Sequence, residues 1–196
     1  MLARMTFADI LRPRGKEFAL AYNAVLVLAG SVLIGICAQI SVPLFPVPVT
    51  LQTFAVLMIG ALLGSKRGGL TVLVYLAQGA FGLPVFSLGR AGAAMLVGPT
   101  AGYLFGFVAA AFVVGFLAER GWDRKFWTTI LAMTLGTMCI YGFGLAWLSC
   151  LIGLHKAVLV GFTPFVFGAV LKIFAAAAIL PAGWKFLSTS VVQKFL

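Results

Sequence analysis

Acidic side chains are almost missing from this chain. Asp9, Glu17, Glu119 and Asp123 are the only ones in 196 residues, and each stands at the edge of an apolar run, never within one. No carboxylate is therefore expected at membrane depth for an intramembrane proton relay. Histidine is reduced to His155, which excludes HExxH metal sites. The three cysteines, Cys37, Cys139 and Cys150, lie in apolar runs without metal-ligand spacing. They read as small hydrophobes and not as a disulfide framework. There is no GxSxG, no Walker motif and no GxGxxG after a strand. An enzyme is not expected, no cofactor or metal is implied, and any uphill work must draw on a partner.

What the chain does have is oil. Hydrophobic residues make up 63% and charged residues 9%, with a mean hydropathy of +1.15. A soluble protein of this size cannot hide so much apolar surface, so the solvent must be lipid. A spanning helix needs about 20 apolar residues. Apolar runs fall at roughly 18–40, 49–64, 68–83, 97–118, 127–152 and 160–184. The first is too long for a signal-peptide core and reads as a retained helix. The second and third are marginal spans that tilt or loop residues would complete. The expectation is an all-α integral membrane protein with six transmembrane helices in one domain. Residues 1–17 form a basic N-terminal segment, 18–184 the bundle and 185–196 a tail.

The connections carry the charge. Ser41 to Pro48 holds three prolines, which favour a stiff extended loop. Gly64 to Gly69 is a tight basic turn, Gly82 to Gly98 a long loop, Glu119 to Lys125 a charged loop, and Gly153 to Pro164 a loop with His155 and Lys156. With six spans, one side carries Arg4, Arg12, Arg14, Lys16, Lys66, Arg67, Arg120, Arg124, Lys125, Lys185 and Lys194. The other carries Arg90 and Lys156. The positive-inside rule then makes both termini cytoplasmic. The same rule accounts for the net charge of +10 without a nucleic-acid partner. No internal repeat is evident, which weakens an inverted-repeat transporter.

Two cations break the loop pattern. Arg90 stands alone in Phe86-Ser87-Leu88-Gly89-Arg90-Ala91-Gly92. Its guanidinium matches a carboxylate bidentately, and the alternative is pairing with lipid phosphate. Lys172 lies inside the last run, where a charge usually faces a wet cavity; the alternative is snorkelling. Gln52 and Gln78 can donate and accept toward a urea- or amide-like ligand, or bond between helices. Tyr103 and Phe86 are packing residues that could also line a site. Gly98, Gly102, Gly106 and Ala110 form a small-residue stripe, for helix packing or for docking a partner.

Three stretches resemble one family: Phe45-Pro46-Val47-Pro48-Val49-Thr50-Leu51-Gln52-Thr53, Gly79-Ala80-Phe81-Gly82-Leu83-Pro84-Val85-Phe86, and Gly98-Pro99-Thr100-Ala101-Gly102-Tyr103-Leu104-Phe105-Gly106-Phe107. Their order and content resemble the BioY family, the biotin-specific S components of energy-coupling factor transporters. The resemblance implies a six-helix S-component fold with an outer biotin pocket roofed by the first and third outer loops. It also implies a transmembrane coupling protein with two cytoplasmic ATPases as partners, in a prokaryotic cell membrane, and uptake by toppling of the whole subunit. Arg90 matches an arginine facing the biotin carboxylate in some members, and Lys172 the lysine of a last-helix motif. Where that motif has an aspartate this chain has Ala169, and Phe167 stands for its second proline. Ala21, Ala24, Gly102 and Gly106 are the small residues that would dock the coupling protein. An S component for another vitamin and a non-transporting membrane scaffold are the alternatives.

Overall fold

The computed structural model describes residues 5–13 and 15–193. Arg4, Arg14 and Lys194, counted above for topology, lie outside the described residues. Eight helices follow in order: α1 (Phe7–Ile10), α2 (Lys16–Gln39), α3 (Gln52–Leu63), α4 (Ser65–Ala80), α5 (Ala101–Ala118), α6 (Phe126–Ile152), α7 (Leu154–Gly161) and α8 (Val166–Gln193). The proline loop closes a small hairpin in which β1 (Ser41–Val42) pairs antiparallel with β2 (Val49–Thr50), Ser41 opposite Thr50. Because the pairing takes Val49 and Thr50, α3 begins at Gln52 and not at 49. The 81–100 loop is shaped by two 3-10 turns, Ser87–Gly89 and Ala93–Leu96.

Two expectations change. Residues 153–164 are not a loop, because most of that stretch forms α7. Gly153, at φ +82°, breaks α6 from it; a positive φ costs glycine little. The stretch is apolar, and helix satisfies its backbone where water is absent. The last helix also runs beyond residue 184 to Gln193, passing through Pro181.

Four stretches are long and apolar enough to cross a membrane: α2, α5, α6, and Leu154–Leu187, which joins α7 to α8. The protein is thus a multi-pass membrane protein. At 12 and 16 residues, α3 and α4 are shorter. Exposed Phe18, Leu20, Val25, Trp127 and Phe174 face outward, where lipid replaces water.

α5 sits at the centre. Without a hydrophobic force between helices in lipid, close van der Waals contact holds them, and small residues allow it. Gly60 of α3 lies so close to Ala111 that a β-carbon would sit 2.6 Å from its carbonyl oxygen. Gly115 rests against the Gly64–Ser65 turn, and Gly106 against the Ile140 backbone. Gly102 abuts Trp147 and the Phe143 carbonyl. The Gly102 and Gly106 face is therefore covered by α6 and is not open to a partner, which corrects the docking expectation for these two glycines. Ala21 and Ala24 do lie on the exposed face of α2.

The end of the bundle holding the α3–α4 turn is polar. Arg67 pairs with Asp9 at 2.5 Å and also donates to the Leu63 carbonyl, Thr6 and Asn23. Glu119, just past α5, accepts from the Ser65 N–H at 2.7 Å and its hydroxyl at 2.8 Å, capping α4 across the turn. Asp123 is buried and accepts from the Trp184 indole at 2.6 Å. Trp184 also packs against Phe7, tying the two ends of the chain together.

Candidate binding cavity

The opposite end encloses a cavity. Its walls come from the β2 hairpin arm (Val47, Val49, Thr50), α3 (Gln52, Thr53), the 81–100 loop (Phe86, Ser87, Met95, Thr100), α5 (Tyr103, Leu104, Phe107), α6 (Ile140, Tyr141), Phe165 and Lys172. The space open to the centre of a water molecule is about 50 Å³. Apolar and aromatic walls with a few converging polar groups are the usual make-up of a small-molecule site.

Lys172 is the cation of this cavity. Its ammonium donates to the Thr50 carbonyl at 2.5 Å and to the Thr53 hydroxyl at 2.9 Å. These bonds stitch α8 to the hairpin and to the first turn of α3, and an ammonium has three donors. Gln52 is buried. Its Nε2 donates to the Tyr75 hydroxyl at 2.5 Å, and its Oε1 accepts from the Thr50 hydroxyl at 3.0 Å. Tyr75 in turn donates to the Val85 carbonyl at 3.2 Å. Hairpin, α3, α4 and the 81–100 loop are thus joined by one buried chain of hydrogen bonds, expensive to break in a low-dielectric interior.

The roof is seated firmly. Phe86 is 1% exposed, its ring resting edge-on against Tyr75 and filling the notch that Gly79 leaves by lacking a side chain. Its N–H donates to the Arg90 carbonyl at 3.1 Å, which curls the turn. Leu88 inside this turn is at φ +62°, a conformation disfavoured for a branched side chain.

Of the residues singled out from sequence, Gln52, Phe86, Tyr103 and Lys172 converge on the cavity. Arg90 and Gln78 are not in its lining. The Arg90 side chain is exposed on the roof turn and has no hydrogen-bond or ion-pair partner among the described residues. Gln78 lies on α4 with its Oε1 buried and unpartnered. Sequence reasoning passed over Thr50, Thr53, Thr100 and Tyr141. Thr50 and Thr53 flank Gln52, so their proximity was the available signal. Thr100 carries a buried hydroxyl with no partner in the cavity wall; from sequence it was only the start of α5. Tyr103 donates to the Gly161 carbonyl at 2.8 Å, which places α7 over the cavity's flank.

The comparisons agree with this architecture. The model of the BioY family matches residues 11–189. The biotin transporter BioY of Thermotoga maritima is 45% identical over 157 residues, covering 79% of this chain and 92% of that protein. The probable biotin transporter BioY of Pyrococcus horikoshii is 40% identical over 150 residues, covering 76% of this chain and 87% of that one. Among solved structures, the S-component for biotin from an ECF-type ABC transporter superposes with a TM-score of 0.73 at 26% identity. That match covers 88% of this chain and 95% of that chain. With a central α5 packed through glycine, a hairpin-and-loop roof over a polar-dotted cavity, and a family match along nearly its whole length, this chain belongs to the BioY family.

Proposed function

We propose that this protein captures biotin in the roofed cavity and delivers it across the membrane by working with an ATP-driven coupling module. The observation that carries this reading is the convergence of Lys172, Thr50, Thr53, Thr100, Gln52 and Tyr141 among aromatic and aliphatic walls. Biotin has a fused ureido ring with two N–H donors and a carbonyl, an apolar thioether ring, and an acid-bearing chain. The walls suit the ring body. With Ala169 at the family's aspartate position, the ureido group must be met by hydroxyls and backbone. The unpartnered Thr100 hydroxyl and the Thr50–Thr53 pair are the groups available. Arg90, exposed at the rim, is the cation that would receive the carboxylate once the ligand extends past the roof.

In this reading α3 and α4 complete six crossings, both termini are cytoplasmic, and the membrane is the cell membrane of a prokaryote. The coupling protein and two cytoplasmic ATPases supply the energy, and the exposed Ala21–Ala24 face of α2 receives the coupling protein. Radiolabelled biotin titrated into purified protein tests the proposal. Saturable binding that thiamine and riboflavin do not displace is expected. No saturable binding, or equal displacement by either vitamin, would sink it.

A further inference from the structure

The end opposite the ligand cavity holds a second, wider hollow. It is bounded by α1 (Asp9), the residues after it (Arg12), α2 (Asn23), the α3–α4 turn (Leu63, Ser65, Lys66, Arg67) and the end of α5 (Phe116, Glu119, Arg120). The space open to water centres is about 580 Å³, far more than in the roofed cavity. Four cations and two acids line it. Both acids are already engaged. Asp9 is held by Arg67 and Thr6, and Glu119 caps Ser65. Burial alone would raise the Asp9 pKa, but the Thr6 and Arg67 bonds outweigh it and hold the carboxyl below its ordinary range. It therefore stays an anion matched to Arg67 and does not compete for the other cations.

Arg12 and Lys66 are left with no side-chain partner among the described residues, and both are exposed. Arg120 lies over the Phe116 ring at 3.3 Å and donates to the Phe116 carbonyl at 3.0 Å, which keeps its remaining donors at the hollow's edge. The result is a basic mouth with spare N–H donors. Leu11, adjoining Arg12 in sequence, and Phe112, one turn before Phe116 on α5, are exposed and give the hollow an apolar apron. Phosphate is the anion that spare guanidinium and ammonium groups hold best. A basic pocket between helices beside an apolar apron fits an amphiphile whose phosphate enters and whose chains stay outside.

We infer that this hollow binds the phosphate head group of an anionic phospholipid, through Arg12, Lys66 and Arg120. The inference does not rest on the biotin reading. A retained lipid would wedge α1, the α3–α4 turn and α5 together at the end where Arg67 already gathers them.

The test is native mass spectrometry of the full-length protein with phosphatidylglycerol or phosphatidylcholine in the micelle, paired with thermal unfolding. Retention of phosphatidylglycerol over phosphatidylcholine is expected, with a matching rise in unfolding temperature. Each cation removed is worth about fivefold in lipid affinity, so Arg12→Gln with Lys66→Gln should cost about 25-fold. Lys125→Gln, which removes one charge at the same end but outside the hollow, should change little. The double variant's unfolding temperature without added lipid should match the parent, separating lost binding from lost folding. Equal retention of the two lipids, or equal losses from Lys125→Gln and from either single variant, would overturn the site. Protection by millimolar inorganic phosphate with no lipid preference would overturn the lipid as its occupant.

Discussion

The side-chain amide of Gln39, in the last turn of α2, grips the roof turn at both ends. Its oxygen accepts from the Gly89 N–H at 2.9 Å, and its nitrogen donates to the Phe86 carbonyl at 3.1 Å. Gly89 precedes Arg90, so this one amide sets where the guanidinium starts. Two hydrogen bonds at about 1 kcal/mol each convert to roughly 30-fold. Gln39→Leu should speed dissociation of radiolabelled biotin by that factor. Gln39→Glu keeps the acceptor, loses the donor, and should fall between. An unchanged dissociation rate in both removes the roof-holding role.

The Arg90 side chain has no partner among the described residues and is exposed, so its truncation leaves no buried group unpaired and should not destabilise the fold. Arg90→Ala should weaken biotin by about 10- to 100-fold, the range for losing a charge-assisted pair. A biotin amide lacking the carboxylate should bind parent and variant alike. Equal losses for acid and amide would exclude a salt bridge with the ligand.

Gly102 and Ala24 separate packing from docking. Gly102→Ala forces a methyl into the Phe143 carbonyl and Trp147, and overpacking typically costs about 1–3 kcal/mol. The isolated protein should unfold several degrees lower. Ala24→Trp, on the exposed face of α2, should leave that temperature unchanged while abolishing ATP-dependent uptake with the coupling module. Normal uptake by Ala24→Trp would place the coupling protein elsewhere.

Asp123 makes stability depend on pH. Burial pushes its carboxyl up to about 6, from an ordinary 3.8, although the Trp184 indole and Arg124 pull the other way. The folded state therefore holds a proton that the unfolded state has released. The resulting stabilisation is complete below about pH 4 and is lost as pH rises through about 6. At 1.36 kcal/mol per pH unit the swing is at most about 3 kcal/mol. Asp123→Asn should unfold at higher temperature than the parent at pH 8, with the gap closing toward pH 4. A pH-independent gap would show that the carboxylate's charge is not the cause.

The long helices were legible because lipid demands unbroken apolar runs, and α2, α5 and α6 end within a few residues of where hydropathy turns. α7 was not legible: Gly153 and Pro164 punctuate like loop residues, yet the stretch between them is apolar enough to coil. At the site, the sequence could show which polar residues stood in apolar surroundings, but not the face each one takes. Lys172 and Gln52 point to the cavity. Gln78, equally placed by depth, does not line it. Arg90 draws the eye by its isolation, although the hydroxyls that line the cavity include those of unremarkable threonines. Thr100 was hidden because an uncharged hydroxyl at a helix start has an ordinary local explanation.

Between the roofed cavity and the basic hollow, the middle of the bundle is filled by Val56, Ile59, Ala111 and Val114, and α5 is locked to its neighbours backbone to backbone. The consequence concerns throughput. Among the described residues that filled middle leaves no room for a file of solutes such as a pore carries. If the subunit is reset as a whole, as the proposed function has it, each captured molecule occupies it for one full cycle. Uptake must then saturate once the cavity is always full, with a ceiling set by the number of subunits and the length of one cycle.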